Sequence, residues 1–245
     1  MASLFFQDGQ RSSGANMRGT IVNVMAVLVG SGIGLMAGSR LPDRLQRIIT
    51  TGLGLATLLI GVQMALKVQN MLVVIASMVI GGVVGELLGI EAALERAGEW
   101  LKTRARSDSG TFVTGYVTAS LVFCVGPMTI LGSIQEGLSG NAEIIYTKSM
   151  LDGATSIAFA SSLGAGVGFA AVTVLVFQGA LTLLGGQLTF LLRPEILNEL
   201  TATGGLLILG IGLLLLDVKR LPIANLLPAL VVAVLLTAAR LSLGW

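Results

Sequence analysis

Lys148 and Asp152 stand four residues apart in a stretch that is otherwise apolar or neutral, KSMLDGATSIAFASSLGAGVG. At that spacing an ammonium and a carboxylate share one helix face and can pair. Ser149, Thr155 and Ser156 lie on or beside the same face. An ionisable group at the centre of a bilayer costs at least about 2.5–3.5 kcal/mol on insertion scales, so the few such groups inside apolar segments are the first candidates for function. Asp152, deeper and followed by Gly153, is read as the charge partner of a bound species. Two readings stay open for Lys148: a member of that site, or an interfacial side chain whose stem snorkels while Asp152 neutralises it.

A second constellation is Cys124-Val125-Gly126-Pro127-Met128. A Gly-Pro pair in mid-span removes a backbone donor and kinks or breaks the helix. Backbone groups freed in this way must face protein or a water-filled cavity. Freed carbonyls, a carboxylate and hydroxyls form a hard oxygen site for Na⁺ or another small cation. Freed amides at a half-helix N-terminus suit an anionic group instead. The sequence does not choose between these. Gln135 and Glu136 follow the break, either as part of the site or as the aqueous end of the helix. Glu86 reads as a solvated helix end. Asn23, Gln63, Gln178 and Asn225 are single neutral polar residues of the kind that join helices.

Other chemistries are excluded or weakly supported. With no histidine and one cysteine, Cys124, the chain lacks the residues for a zincin, a Ser-His-Asp triad, an imidazole relay or an internal disulfide. There is no GxxxxGK[ST] stretch, so coupling would be to a gradient or absent. Cys124 or Ser156 beside Lys148 makes a thin case for an intramembrane nucleophile, and the chain is expected not to be an enzyme. No cofactor or metal is called for beyond the small cation. A net charge of +2 implies no nucleic acid.

The elements that must hold these residues are membrane spans. Of 245 residues 54% are hydrophobic, only 11% are charged, and 33 are glycine. Soluble domains carry about 25% charged residues and about 7% glycine. Charge-free runs cover Gly19–Ser39, Ile48–Leu66, Val68–Gly85, Ser109–Gln135, Gly153–Leu192, Leu200–Leu216 and Leu221–Ala239, close to the roughly 20 residues a crossing helix needs. The run from Gly153 to Leu192 is too long for one span and turns at Gly164–Gly168. The spans are therefore expected at about Gly19–Ser39, Ile48–Leu66, Asn70–Ile90, Thr111–Gly132, Glu143–Leu163, Val167–Leu192, Thr203–Leu216 and Ala224–Ser242. The fifth, holding Lys148 and Asp152, has a re-entrant or two-half-helix alternative. Residues 1–16 read as a disordered tail with Met17 as an alternative start, and 91–108 as an amphipathic surface connector.

An offset of 152 aligns Gly34 with Gly186, Pro42 with Pro194, Thr51 with Thr203, Gly52 with Gly204 and Lys67 with Lys219. The expected fold is thus an all-α polytopic bundle of about eight spans within one domain, 17–245. It is arranged 3+2+3, with repeats 17–90 and 164–245 inverted about the central pair in 109–163. Lysines and arginines concentrate in the connections opposite the N-terminus, which places both termini outside. Gly30, Gly34 and Gly38, and likewise Gly81, Gly85 and Gly89, form GxxxGxxxG ladders for close helix approach. The two ladders are expected to serve each other, with a homodimer seam as the alternative.

Three stretches, MRGTIVNVMAVLVGSGIG at Met17–Gly34, VGPMTILGSIQEGL at Val125–Leu138 and KSMLDGATSIAFASSLGAGVG at Lys148–Gly168, give the chain a family resemblance. It resembles, from Met17 onward, the bacterial inner-membrane family known as domain of unknown function 554. The resemblance implies a multi-pass bacterial inner-membrane protein with transport as the suspected activity, and it assigns no catalytic residues. Residue chemistry and resemblance together lead to a secondary transporter or channel-like carrier of a small ion or polar solute. The alternative is a non-transporting scaffold, assembly factor or sensor.

Overall fold

The computed structural model describes residues 17–39, 41–105, 110–219 and 221–243. The expected tail at 1–16 and the end of the 91–108 connector lie outside the described residues. Among the described residues ten α-helices follow in order: α1 (Arg18–Gly38), α2 (Asp43–Ala65), α3 (Met71–Leu88), α4 (Ile90–Arg104), α5 (Phe112–Cys124), α6 (Pro127–Ser139), α7 (Glu143–Leu163), α8 (Gly166–Leu183), α9 (Pro194–Leu215) and α10 (Pro228–Leu243). No strand occurs among the described residues. Six segments, namely α1, α2, α3, α8, α9 and α10 with its preceding turn, are long and apolar enough to cross a membrane, and the bent α5–α6 pair brings the number to seven.

Burial is inverted relative to a water-soluble protein. Met36, Leu59, Leu72 and Leu87 project from the surface while Asn23, Glu136, Gln178 and Glu199 are enclosed. In lipid, apolar side chains need no hiding and polar groups must find partners inside. α7 shows this within one helix. Tyr146, Met150, Leu151 and Ile157 face outward, whereas Lys148, Ser149, Asp152 and Ser156 face inward. Its polar inner face keeps it out of a purely apolar count of spans, yet it is one continuous helix of 21 residues, with neither the break nor the half-helices of the alternative reading.

Glycine sets how the helices meet, and the two ladders do not serve each other. A side chain on Gly30, Gly34 or Gly38 would overlap the carbonyl oxygens of Gly153, Ile157 and Ser161 in turn. The α1 ladder is therefore filled by α7, running parallel to it. The α3 ladder receives the other end of the chain: Gly81 lies on Ala229 and Gly85 on Asn225. Gly89 is not a packing residue but a left-handed helix end with φ 62°, open on its Cβ side. Close approach needs a partner backbone of matching direction and depth, and α7 and α10 supply it where α1 and α3 do not supply it to each other.

Three helices of the first half pair antiparallel with three of the second. Thr20 of α1 meets Thr182 of α8 and Ser31 meets Gly168. In α2 and α9, Gly61 lies against Gly205 and Leu209 while Gly54 lies against Leu216. α3 and α10 complete the set. Conversely α5 runs parallel to α8, with Gly166 on Phe112 and Ser120 bonded to Thr173.

Several boundaries differ from the sequence reading. The sixth span ends at Leu183 rather than Leu192, giving way to a short 3₁₀ turn at Thr189–Leu192. Gly186 therefore falls in a turn, unlike its offset partner Gly34. The seventh span begins at Pro194, well before Thr203, because Pro194 at the first helical position starts the helix with its φ already set. The last begins at Pro228 after a 3₁₀ turn at Ile223–Leu226.

Candidate functional site

The fourth expected span is broken where Gly126-Pro127 stands, and its halves α5 and α6 diverge by 60°. Gly126 is extended and Pro127 opens α6. The ring of a proline excludes the carbonyl four residues back, here that of Phe123. Thr129 repairs the loss: its hydroxyl donates to the Phe123 carbonyl at 3.0 Å. The Gly126 carbonyl accepts from the amides of Thr129 and Ile130 at 3.1 and 3.4 Å. Thr129 was not singled out in the sequence, although its place two residues after the proline is the available signal.

α6 carries the break onward to Glu136, which is not an aqueous end. It is 1% exposed and accepts from the Gly19 amide at 2.6 Å, satisfying one of the four free donors at the start of α1. Thr20 reaches its other oxygen at 3.5 Å. From there a polar line continues inward. Gln178 of α8 donates to the Thr20 hydroxyl at 3.2 Å, and Asn23 of α1 donates to Gln178 at 3.0 Å and to Asp152 at 3.0 Å. Lys148 closes the line in an ion pair with Asp152. Glu136, Thr20, Gln178, Asn23, Asp152 and Lys148 thus join α6, α1, α8 and α7 through buried side chains. Asn23 and Gln178 are interhelical ties, as expected, and also neighbours of the carboxylate.

The orientation of Asn23 is forced by this line. Its amide nitrogen serves two acceptors, Asp152 Oδ2 and Gln178 Oε1, so turning the amide over would set oxygen against oxygen. Its own Oδ1 is consequently buried without a partner beside Asp152, and Ser156 Oγ, one turn further along α7, is likewise unpartnered. Asp152 is the tenth of the 21 residues of α7, about 14 Å along the helix at 1.5 Å per residue. Lys148 is only 5% exposed, which removes the snorkelling reading for its end group.

The other candidates divide. Ser156 faces Gly30 of α1. Thr155 and Gln135 are half-buried. Cys124 is buried. The stretch Cys124–Pro127, however, lines an apolar cavity that none of the polar line enters. The structure therefore does not gather the break's backbone, Asp152 and Ser156 into one pocket. Among the described residues no three Cys, Asp or Glu side chains form a metal-holding group.

Glu199 was missed. It lies near the start of α9, 1% exposed, and accepts from the amides of Gln69 and Asn70 at 3.1 and 2.5 Å, so it holds the α2–α3 turn. Its Oε2 and the hydroxyl of Thr203, one helical turn on, are both buried without partners. Glu86 is exposed, as expected, and accepts from Asn225 at 2.6 Å. Asn225 also caps α4 by accepting from the Glu91 amide at 2.7 Å, and the Glu91 carboxylate in turn accepts from the Ala224 amide at 2.7 Å.

An all-helical bundle with an apolar exterior and a bonded polar interior defines a polytopic membrane protein. The chain belongs to the family of proteins of unknown function DUF554, whose pattern matches residues 18–238. It is 32% identical over 226 residues to the uncharacterized protein YqgA of Escherichia coli (strain K12), covering 90% of this chain and 96% of that one. It is 31% identical over 220 residues to the uncharacterized membrane protein YdfK of Bacillus subtilis (strain 168), covering 88% and 93%. No solved structure matches the chain.

Proposed function

We propose that this protein is a carrier for a small cation, or a small solute rich in N–H donors, across the bacterial inner membrane, with Asp152 as its central group. The observation that carries the reading is the Asp152–Asn23 pair. A carboxylate halfway along a helix stands beside an amide oxygen that is buried and unpartnered. Ser156 adds a third buried oxygen on the same helix face. Such a group of oxygens favours hard cations. Lys148 neutralises the carboxylate when no cargo is present, and an arriving cation competes with its ammonium.

The antiparallel pairing of α1 with α8, α2 with α9 and α3 with α10 supports two inverted three-helix repeats around the central α5, α6 and α7, an arrangement that recurs in secondary transporters. Flux is driven by a gradient, and no covalent chemistry is involved. Lipid and the cargo are the partners this reading requires. The test is purified protein in liposomes, with Na⁺, K⁺ and H⁺ followed by internal indicator dyes. Flux of one of these, lost in Asp152→Asn while the folded protein is recovered in normal yield, is the expected result. No flux with any of them, together with full function of Asp152→Asn in cells, would sink the carrier reading in favour of a scaffold.

A further inference from the structure

We propose that the cavity behind the helix break is a lateral binding site for one acyl chain of a bilayer lipid. The cavity arises from a difference between two otherwise similar packings. α7 is continuous and fills the glycine groove of α1 along its length. α5 begins along α8 in the same parallel manner, but after Ser120 the chain reaches the break and swings away by 60°. α6 regains α8 only where Gly137 meets Thr182. Between these contacts the face of α8 from Thr173 to Leu181 looks onto a cavity of 510 Å³.

Its chemistry selects an apolar occupant. The lining is leucine, isoleucine, valine and phenylalanine, with the break at its back. The hydroxyls that reach it are already engaged: Ser120 donates to Thr173, Thr173 to Tyr116, and Thr201 to the Leu197 carbonyl. An apolar cavity of about 150 Å³ stays dry and takes benzene, and this one is more than three times larger. Along α8 it runs about 12 Å, close to the roughly 15 Å depth of hydrocarbon in one leaflet.

The mouth faces lipid. α8 and α10 are not packed closely together. Phe177 and Val231, which line the cavity from these two helices, are 38% and 61% exposed. They continue into the outward-facing Val176 and Leu235, so the cavity wall passes into the lipid-facing surface. A chain entering there leaves its headgroup outside.

The experiment uses the full protein in vesicles containing a phospholipid with a photoactivatable diazirine in one acyl chain, with adducts mapped by peptide mass spectrometry. Adducts are expected on Ile130 and Leu200, buried at the inner wall, as well as on Val176 and Leu235 outside. Leu230→Trp puts a bulky ring on the cavity wall and should sharply reduce the inner adducts while the outer ones persist, with recovery of a monodisperse species in detergent showing that the variant is folded. Should it fail to fold, the smaller substitution Val234→Phe carries the same expectation. A diazirine placed in the headgroup should label neither inner residue. Adducts confined to the outer residues, inner adducts unchanged by the bulky substitutions, or inner labelling from the headgroup would each overturn the proposal.

Discussion

Asp152 and Lys148 form a buried ion pair, and the consequences of breaking it follow from its burial. Removing one partner of a buried pair costs about 3–5 kcal/mol because the other charge is stranded, whereas replacing both by apolar groups is often neutral or better. Asp152→Leu alone should therefore lower the thermal midpoint in detergent sharply. Asp152→Leu with Lys148→Met should recover most of it without restoring the proposed flux. A double variant that carried the flux proposed above would remove Asp152 from the proposed site. Glu199 makes a different prediction, since its work is to accept from two amides at the α2–α3 turn. Glu199→Gln keeps an acceptor, whereas Glu199→Ala leaves two donors bare, so Ala should be the less stable by about 1–3 kcal/mol in unfolding measurements. Equal stability of the two would show that the turn does not depend on this carboxylate.

At the scale of the element, glycine function depends on what lies opposite. Gly32 has nothing within 4 Å of its Cβ position, whereas Gly34 is sealed by the Ile157 carbonyl. Gly32→Ala should stabilise α1 by up to about 1 kcal/mol through helix propensity, and Gly34→Ala should destabilise by forcing α1 from α7. Thermal unfolding of the two variants in parallel reads the contrast, and the same sign for both would discount the packing. The clasp between α4 and the Ile223–Leu226 turn has its own pH signature. Burial raises the Glu91 carboxyl above its ordinary value of 4.5, the Ala224 amide opposes the shift and Glu95 adds to it. The folded state thus holds this proton more tightly than the unfolded one. Its contribution is full below about 4.5 and is lost as pH rises through the folded value. The thermal midpoint of the wild type should fall relative to Glu91→Gln across that window, and a constant difference would refute the assignment. The spans were legible as charge-free runs because lipid tolerates few charges, and the break was legible from Gly126-Pro127. The partners of the ladders were not, because GxxxG spacing describes a groove without saying what fills it. Glu199 stayed hidden because the amides that make its burial tolerable lie 130 residues away.

For the whole molecule the question is parity. α1 and α7 stay together from Gly19 against Ile145 to Gly38 against Ser161, so α7 travels through the same depth as α1. If α1 crosses the membrane, α7 crosses it in the same direction. Counting the α5–α6 pair as one passage, the proposed arrangement then has eight crossings, with both termini on one face. On the expectation that the side richer in Lys and Arg faces the cytoplasm, the proposed orientation makes that face the outer one. In a Cys124→Ser background, Lys67→Cys and Asn141→Cys should react with a membrane-impermeant maleimide added to intact cells. Glu95→Cys and Lys219→Cys should react only after the cells are opened. Lys219 is the discriminating position. Were α7 to dip in and return, α8, α9 and α10 would all reverse, and Lys219→Cys would label together with Lys67→Cys. Reversal would also make α8 parallel to α1, against the pairing of Thr20 with Thr182 and Ser31 with Gly168. Labelling of Lys219→Cys thus tests the crossing of α7 and the inversion of the repeats by a single change of side.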